Sequence, residues 1–377
     1  MTHQNEVQPF VDLPEALVEE MLSKCDHLGK SLSSSFQRIS ERKSDFRVKL
    51  SDDNLLKKDT EISSFPQNPT SCGIDGSYAV ERLLSTDIAA TAALAIEGLT
   101  PPTEKRYWPT PRHRCEIFSV PHYDSTISIL RAIMMCMELE LAIEAPHDIV
   151  MIDGSFTTPL IYINQALDAG EECSKELHDL LYSKINDSID AINIILESKR
   201  SDKIFLAMPK YTTKKELSDE ILNLGQFEDR GLLSFILEAG EYVGPIPKGA
   251  TSSPYNIEKI SEQYSGFVSS YLQKISNLRV IYYRPFDHLP ALRIEISNSI
   301  ARNNQRLSAL FEALRIQCGS PSIFEPYPLY MADRMIKHLG RALPALRRTT
   351  TQYITDRWED SLGSIFLAMH GYRTEWG

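Results

Sequence analysis

The chain has 377 residues, 42% of them apolar and 24% charged, and its 51 acidic against 40 basic residues leave a net charge of −11. Those fractions belong to a folded globular protein and exclude disordered and collagen-like chains. The acidic balance also excludes a lysine-coated polyanion binder, but not a nuclease whose bound cations reverse the local field.

No run approaches the roughly 20 apolar residues of a membrane helix, and Met1 to Phe10 lacks the basic start and apolar run of a secretory signal. A cytoplasmic protein with no membrane partner is therefore expected. The six cysteines (Cys25, Cys72, Cys115, Cys136, Cys173 and Cys318) form no CxxC pair, which predicts reduced core thiols rather than a zinc knuckle.

Residues 12–48 read as helix, with Pro14 near the start and Val18, Met21, Cys25 and Leu28 at helical spacing. Residues 51–70 have loop composition and end in Phe65-Pro66-Gln67-Asn68-Pro69-Thr70. Residues 72–77, Cys-Gly-Ile-Asp-Gly-Ser, predict a short strand reaching a turn. Residues 85–97, rich in alanine and isoleucine, fit strand or helix, and 113–120 fit a strand. Ile127, Leu130, Met134, Met137 and Leu141 give 125–144 a helical stripe. Residues 149–152 are a buried strand running into Asp153-Gly154-Ser155. A helix over 172–199, a strand over 204–208, a helix over 232–239 and strands over 280–284 and 291–296 follow. Helices over 301–317, 329–342 and 352–369 complete the chain. Strands and helices mix without strict alternation, which predicts an α/β domain with a mixed sheet. No solenoid repeat is present.

The chemistry concentrates in three places. Ile74-Asp75-Gly76-Ser77 and Ile152-Asp153-Gly154-Ser155 each put an aspartate at the end of an apolar strand, with a glycine beyond it for a sharp turn. If the strands are neighbours, two carboxylates meet at one sheet edge and repel unless a cation lies between them. A divalent metal with oxygen ligands resolves that repulsion; ordinary Asp-Gly turn chemistry is the plain alternative. The helix before the second motif offers Glu138, Glu140 and Glu144. Glu138 and Glu140 cannot share a helical face, and Glu138, bordering the apolar stripe, is the preferred one. The third place is 324–334, where Pro326 and Pro328 set an extended lead into a helix carrying Asp333. Arg334, Lys337 and Arg341 make a basic stripe there, fit for a phosphate backbone or simply a solvated face. No Gly-x-Ser-x-Gly surrounds Ser77 or Ser155. No Walker A sequence occurs either, so the chain is not expected to hydrolyse ATP.

From about Gly73 to Leu339 this pattern resembles the NurA nucleases: two Asp-Gly-Ser motifs, a glutamate-bearing helix before the second, and a late Tyr-Pro-Leu…Ala-Asp segment. Ala207-Met208-Pro209-Lys210, Asp229-Arg230-Gly231-Leu232-Leu233, Tyr283-Arg284 and Leu292-Arg293-Ile294-Glu295 fit it as well. The resemblance implies a ribonuclease-H-like mixed sheet flanked by helices. Around it stand a helical extension over 1–70, a nuclease domain over 71–345 and a helical extension over 346–377. It implies a manganese- or magnesium-dependent DNA nuclease, a 5′–3′ exonuclease with endonuclease activity. Such a nuclease is dimeric and processes DNA ends with a HerA-type hexameric ATPase, in repair or in defence against foreign DNA.

Asp75 and Asp153 match the family's two metal-binding aspartates, and Glu138 or Glu140 its helix glutamate. Asp333 takes the place of the family's histidine and Glu325 that of its tyrosine. Lys210 matches a strand-end lysine able to meet a phosphate oxygen as a point charge. The departure at Asp333 motivates a second expectation, a non-catalytic adaptor or regulatory subunit of such a motor. A ribonuclease or other phosphodiesterase on the same fold is a third. The N-terminal helix and a C-terminal one bearing Tyr353, Trp358, Leu362, Ile365 and Phe366 are candidates to cover a dimer interface.

Overall fold

The computed structural model describes residues 13–62, 68–83, 86–104, 106–169, 173–210, 212, 214–219, 222, 227–248 and 257–357. The chain runs through α1 (Glu15–Glu41), α2 (Lys43–Asp52), β1 (Leu56–Lys58), β2 (Ser71–Arg82), β3 (Asp87–Glu97), β4 (Arg112–Val120) and α3 (Thr126–Glu144). It continues through β5 (Ile149–Asp153), α4 (Thr158–Ala169), α5 (Lys175–Glu197), β6 (Ile204–Met208), α6 (Asp229–Ile236), β7 (Glu241–Pro247) and α7 (Glu258–Ser276). It closes with β8 (Arg279–Arg284), β9 (Leu292–Ile296), α8 (Asn298–Ala301), α9 (Asn304–Gln317), α10 (Tyr327–Ile336) and α11 (His338–Arg357).

Among the described residues nine strands form one sheet in the order β1-β7-β8-β9-β6-β5-β2-β3-β4. β2, β5 and β6 run parallel and the other pairings are antiparallel. The stretch β4-β3-β2-β5-β6, with α3 leading from the antiparallel meander back to a parallel strand, is the ribonuclease-H-like arrangement. It confirms the expected mixed sheet.

β3 settles an ambiguity of its sequence. Ala89, Ala93 and Ala95 face a core built with α3, whereas Ala92, Leu94 and Ile96 face Ala332 and Ile336 of α10. Apolar residues of period two, buried on both faces, make a central strand. The small alanines let helices approach closely from both sides. α3, α4, α5 and α7 share the first core, and α9 packs against the other face of β5, β6, β8 and β9.

Several elements depart from their expected bounds. The helix over 12–48 breaks at Arg42 into α1 and α2. β1, within the expected N-terminal extension, pairs with β7 at the sheet edge. α6 starts at Asp229 because the Glu228 side chain caps it, accepting from the backbone N–H groups of Arg230 and Gly231. β7 has no clear sequence signature because Gly244-Pro245 resembles a turn; it occupies a register shift between Val243 and Ile246, where a proline is tolerated. α4, α7 and α8 also lie outside the expected elements. The helix over 329–342 divides at Lys337, and α11 continues to Arg357 with Pro344 inside it. The part of the expected helix over 352–369 beyond Arg357 lies outside the described residues.

All six cysteines are free; Cys72, Cys136 and Cys318 are buried, whereas Cys25 and Cys115 are exposed, so only some are core thiols. Among the described residues no helix is long and apolar enough to cross a membrane.

α2 is held on the sheet by Phe46 and Leu50, which pack with α6, β7 and β8, and by Arg47, which donates to both carboxylate oxygens of Glu241 at 2.6 and 2.8 Å. Burial alone would raise the Glu241 carboxyl, but hydrogen bonds from Arg47 and from the Glu238 N–H bring it below its usual value. A depressed carboxyl contributes stability above its unfolded pKa and loses it as pH falls. Arg47→Ala should therefore cost about 3 kcal/mol at neutral pH, since a buried carboxylate loses its partner. Urea unfolding should show that deficit shrinking as Glu241 is protonated at acid pH.

Candidate active site

The β2–β5 register aligns Ile74 with Ile152, so Asp75 and Asp153 stand side by side on adjacent parallel strands. Only Asp153 ends its strand. Gly154 follows with φ +92°, a conformation that glycine adopts without strain. Asp75 lies in the interior of β2, which runs on to Arg82 with Gly76 paired to Ala93. The turn expected after Asp75 is absent, and Gly76 has a different purpose. A Cβ there would fall 2.4 Å from Glu138 Oε1 and 2.5 Å from Met134 Cγ. The missing side chain is what lets α3 lay Glu138 over β2.

The other faces of the site come from β6 and α10. Lys210 follows β6, the strand beside β5. Glu325 precedes α10, and Asp333 lies on it. α10 lies directly on β2 at Gly73, where a Cβ would come 2.5 Å from Pro328 C and from Leu329 N.

Carboxylate oxygens of Asp75, Asp153 and Asp333 lie within 4.8 Å of one another. Lys210 Nζ reaches into this group, 3.0 Å from Asp153, 3.2 Å from Glu325 and 3.4 Å from Asp333. Asp75 has no cation at ion-pair distance among the described residues. Burial, then the charge of Asp153, pushes its carboxyl up to about 7. Glu138 is 2% exposed, and its Oε2 is buried without a hydrogen-bond partner. Burial, then Asp75 and Asp153, raises its carboxyl well above the usual range. Burial also raises Glu325, against the pull of Lys210. Asp333 goes the other way: burial opposes its ionisation, but a hydrogen bond from Lys337 and the charge of Lys210 lower it. Among these carboxylates the Lys210 ammonium is held protonated in spite of burial.

This donor set fits a hard divalent cation. Its ligand atoms are all carboxylate oxygens, the type that magnesium and manganese select. They converge closely enough to share an ion, and one buried oxygen beside them, Glu138 Oε2, lacks a partner. Asp75, Asp153 and Asp333 could hold the ion, with Glu138 and Glu325 bordering it.

Other expected site residues lie elsewhere. Glu140 points away from the cluster, 2.7 Å from Lys184 and 3.6 Å from Arg114; its face of α3 looks toward α5 and β4, as the two-residue offset from Glu138 requires. Arg334, Lys337 and Arg341 do not form one stripe. Arg334 lies over the Tyr330 ring, Lys337 pairs with Asp333 at 2.7 Å, and Arg341 belongs to α11, past the helix break.

A further group supports the Asp153 turn. Glu295 on β9 is fully buried; it accepts from Ser155 Oγ at 2.9 Å and from the Phe156 N–H at 3.0 Å. Lys248 donates to Glu295 at 2.7 Å and to Ser155 Oγ at 3.0 Å, and Arg293 also donates to Glu295. Burial opposes the Glu295 charge, yet Lys248 and Arg293 push its carboxyl down to about 2. The sequence signal is a charged pair inside an apolar strand, Leu292-Arg293-Ile294-Glu295. Its contact with Ser155 is visible only in three dimensions.

The NurA domain matches residues 69–337. Three crystal structures share the fold. The NurA nuclease from Sulfolobus solfataricus is 13% identical, with a TM-score of 0.59 over 92% of this chain and 100% of that one. A NurA with manganese is 12% identical, with a TM-score of 0.53 over 89% and 99% of the two chains. A NurA bound to dAMP and manganese is 13% identical, with a TM-score of 0.50 over 83% and 93%. No curated protein sequence matches the chain. With the NurA domain spanning most of its length and its strands bringing the two Asp-Gly-Ser aspartates together, this chain belongs to the NurA family.

Proposed function

We propose that the protein is a manganese- or magnesium-dependent nuclease that hydrolyses phosphodiester bonds in DNA. The observation that carries this reading is the meeting of Asp75, Asp153 and Asp333 oxygens within 4.8 Å, with Glu138 buried against them. The manganese and dAMP in related NurA crystals support the choice of cation and substrate. When bound, the cation would lower the pKa of a water nucleophile and offset the charge gathering on phosphate oxygens.

The chain's own residues do the rest. Asp75 and Asp153 present carboxylates from two rigid neighbouring strands, so their separation is set by the sheet. Asp333 closes the group from α10. Lys210 keeps the carboxylates from repelling one another in the free protein, and its ammonium is placed to face a phosphate oxygen. Ser155, bonded to Glu295 and Lys248, keeps the turn after Asp153 from shifting the carboxylate.

The finer reading is a 5′–3′ exonuclease with endonuclease activity, working as a homodimer with a HerA-type hexameric ATPase on DNA ends in repair or defence. Its support is the family resemblance, together with the absence of a Walker A sequence, which leaves any translocation to a partner. α1 also supports an assembly: Leu17, Met21, Leu28 and Leu32 are 43%, 48%, 57% and 62% exposed along a helix that, among the described residues, meets the body near Phe36 and Ile39. The competing reading is a non-catalytic adaptor, favoured by Asp333 standing where the resemblance places a histidine.

Cleavage of end-labelled linear duplex and single-stranded DNA, with manganese, magnesium or EDTA and with or without the ATPase and ATP, decides between them. Metal-dependent cleavage is expected, and Asp75→Asn and Asp153→Asn should each lower it at least about a thousandfold by removing a ligand to the ion that activates the water. Intact DNA under every condition leaves the adaptor. Matched RNA substrates test the choice of nucleic acid. Asp75→Asn should also raise metal-free thermal stability while abolishing any rise on adding manganese, because it removes a buried charge that lacks a counterion.

Gly76→Ala should retain the fold, shift Glu138, and weaken manganese binding in calorimetry with a loss of cleavage. Wild-type metal affinity in that variant would exclude Glu138 from the site. Leu28→Glu with Leu32→Glu should convert a dimer to monomer in sedimentation if α1 is the interface; an unchanged dimer places the interface elsewhere.

A further inference from the structure

On the face of β2 that packs against α3, where Glu138 also lies, is a group of side chains that the carboxylates do not use. Arg131 sits on α3 seven residues before Glu138, on the same stripe and about 10 Å away at 1.5 Å per residue. Its guanidinium lies 5.3 Å from the Tyr78 ring centroid and 4.8 Å from that of Tyr162. It also donates a hydrogen bond to the Tyr78 hydroxyl at 2.7 Å. Tyr78 is on β2 three residues beyond Asp75, and Tyr162 is on α4, the helix that follows the Asp153 turn. The strand that holds Asp75, the helix that holds Glu138 and the helix next after Asp153 thus also position this cluster. Tyr78 shares with Ile74 and Gly76 the face of β2 that packs on α3, whereas Asp75 points to the α10 face, so Glu138, reaching past Gly76, is the member of the acidic group on Arg131's side of the sheet.

Acidic residues outnumber basic ones 51 to 40, yet Arg131 has no carboxylate at ion-pair distance among the described residues. All three side chains are partly exposed. Two aromatic faces and one hydroxyl hold the guanidinium plane, while among the described residues its remaining N–H groups have no acceptor. A planar, always-charged fork fixed in orientation and left without a counter-charge suits a phosphate.

We propose that Arg131, clamped by Tyr78 and Tyr162, binds a non-scissile phosphate of the substrate strand. The contact would position the strand without reading its sequence. Tyr78 and Tyr162 are positioning residues for the guanidinium. This inference rests on the nuclease reading for what the phosphate belongs to, and the experiment separates the two.

The test is fluorescence anisotropy of a short labelled single-stranded DNA with the full chain in EDTA, over a range of salt, beside steady-state cleavage in manganese. Arg131→Ala should weaken binding about tenfold and reduce the slope of log affinity against log salt by about 0.7, the value for one phosphate contact on a single strand. In cleavage it should raise KM with little change in kcat. Arg131→Lys should recover the salt slope but only part of the affinity, since an ammonium lacks the planar fork. Tyr162→Ala should weaken binding with the salt slope retained. Arg200→Ala is the control for net charge: Arg200 pairs with Asp202 in the exposed segment before β6, and its removal should leave binding unchanged.

Wild-type affinity, slope and KM in Arg131→Ala overturn the subsite while leaving the nuclease standing if the wild type cleaves. A loss of kcat with affinity and KM unchanged also overturns it, because that marks a structural role at the acidic cluster. If the wild type cleaves nothing, the nuclease reading fails. The metal-free binding data then judge Arg131 alone, and unchanged affinity rejects it.

Discussion

Mutual repulsion among carboxylates is the constraint around which this protein is built. Three aspartates, and two glutamates at their border, approach at the ends and flanks of neighbouring strands, where burial weakens the screening that water would supply. No ordinary packing would gather them. The chain tolerates the arrangement because one ammonium, that of Lys210, reaches Asp153, Glu325 and Asp333 together. Asp75 and Glu138, which Lys210 does not pair, have their carboxyls driven upward, and burial raises even the paired Glu325. The residual strain falls at the position where a divalent ion would relieve it.

Much of the fold serves to keep those groups from moving apart. The parallel register of β2 and β5 sets the aspartates level. Two glycines thin β2 from opposite sides, Gly73 to admit the backbone at the start of α10 and Gly76 to admit Glu138 from α3. The buried Glu295, neutralised by Lys248 and Arg293, ties the turn after Asp153 to β9 through Ser155. A buried ion network of this kind contributes little net stability compared with an apolar core of equal volume. What it provides is a fixed turn beneath the Asp153 carboxylate. α3 carries both Glu138 and Arg131, so the acidic group and the tyrosine-held cation are joined through one helix.

The parts of the site legible in the sequence were those where one residue's position follows from local rules. An aspartate after an apolar strand and before a positive-φ glycine describes Asp153 correctly. The same rule misplaces the end of β2, because Gly76 is there for space rather than for a turn, and only the position of α3 reveals that. The choice of Glu138 over Glu140 was available from helical periodicity, since residues two apart diverge on a helix. The supposed stripe of Arg334, Lys337 and Arg341 used the same periodicity and failed, because the helix breaks at Lys337. β7, with Gly244-Pro245 inside it, was hidden by residues that usually end strands; its pairing with β1 and β8 overrides that preference.

By itself, then, the sequence determined the composition of the site. Two Asp-Gly-Ser motifs, an acidic helix and a late aspartate are local patterns, and local patterns survive in one dimension because strand and helix periods are properties of the backbone. The tertiary structure alone decided which acids meet, what neutralises them, and which rings hold Arg131 on the helix that carries Glu138. Those outcomes depend on strand order and on helix docking, which join residues far apart in sequence. Asp75 and Asp333 become neighbours only when α10 settles on β2, and Arg131 finds its two rings only when α3 packs against both β2 and α4.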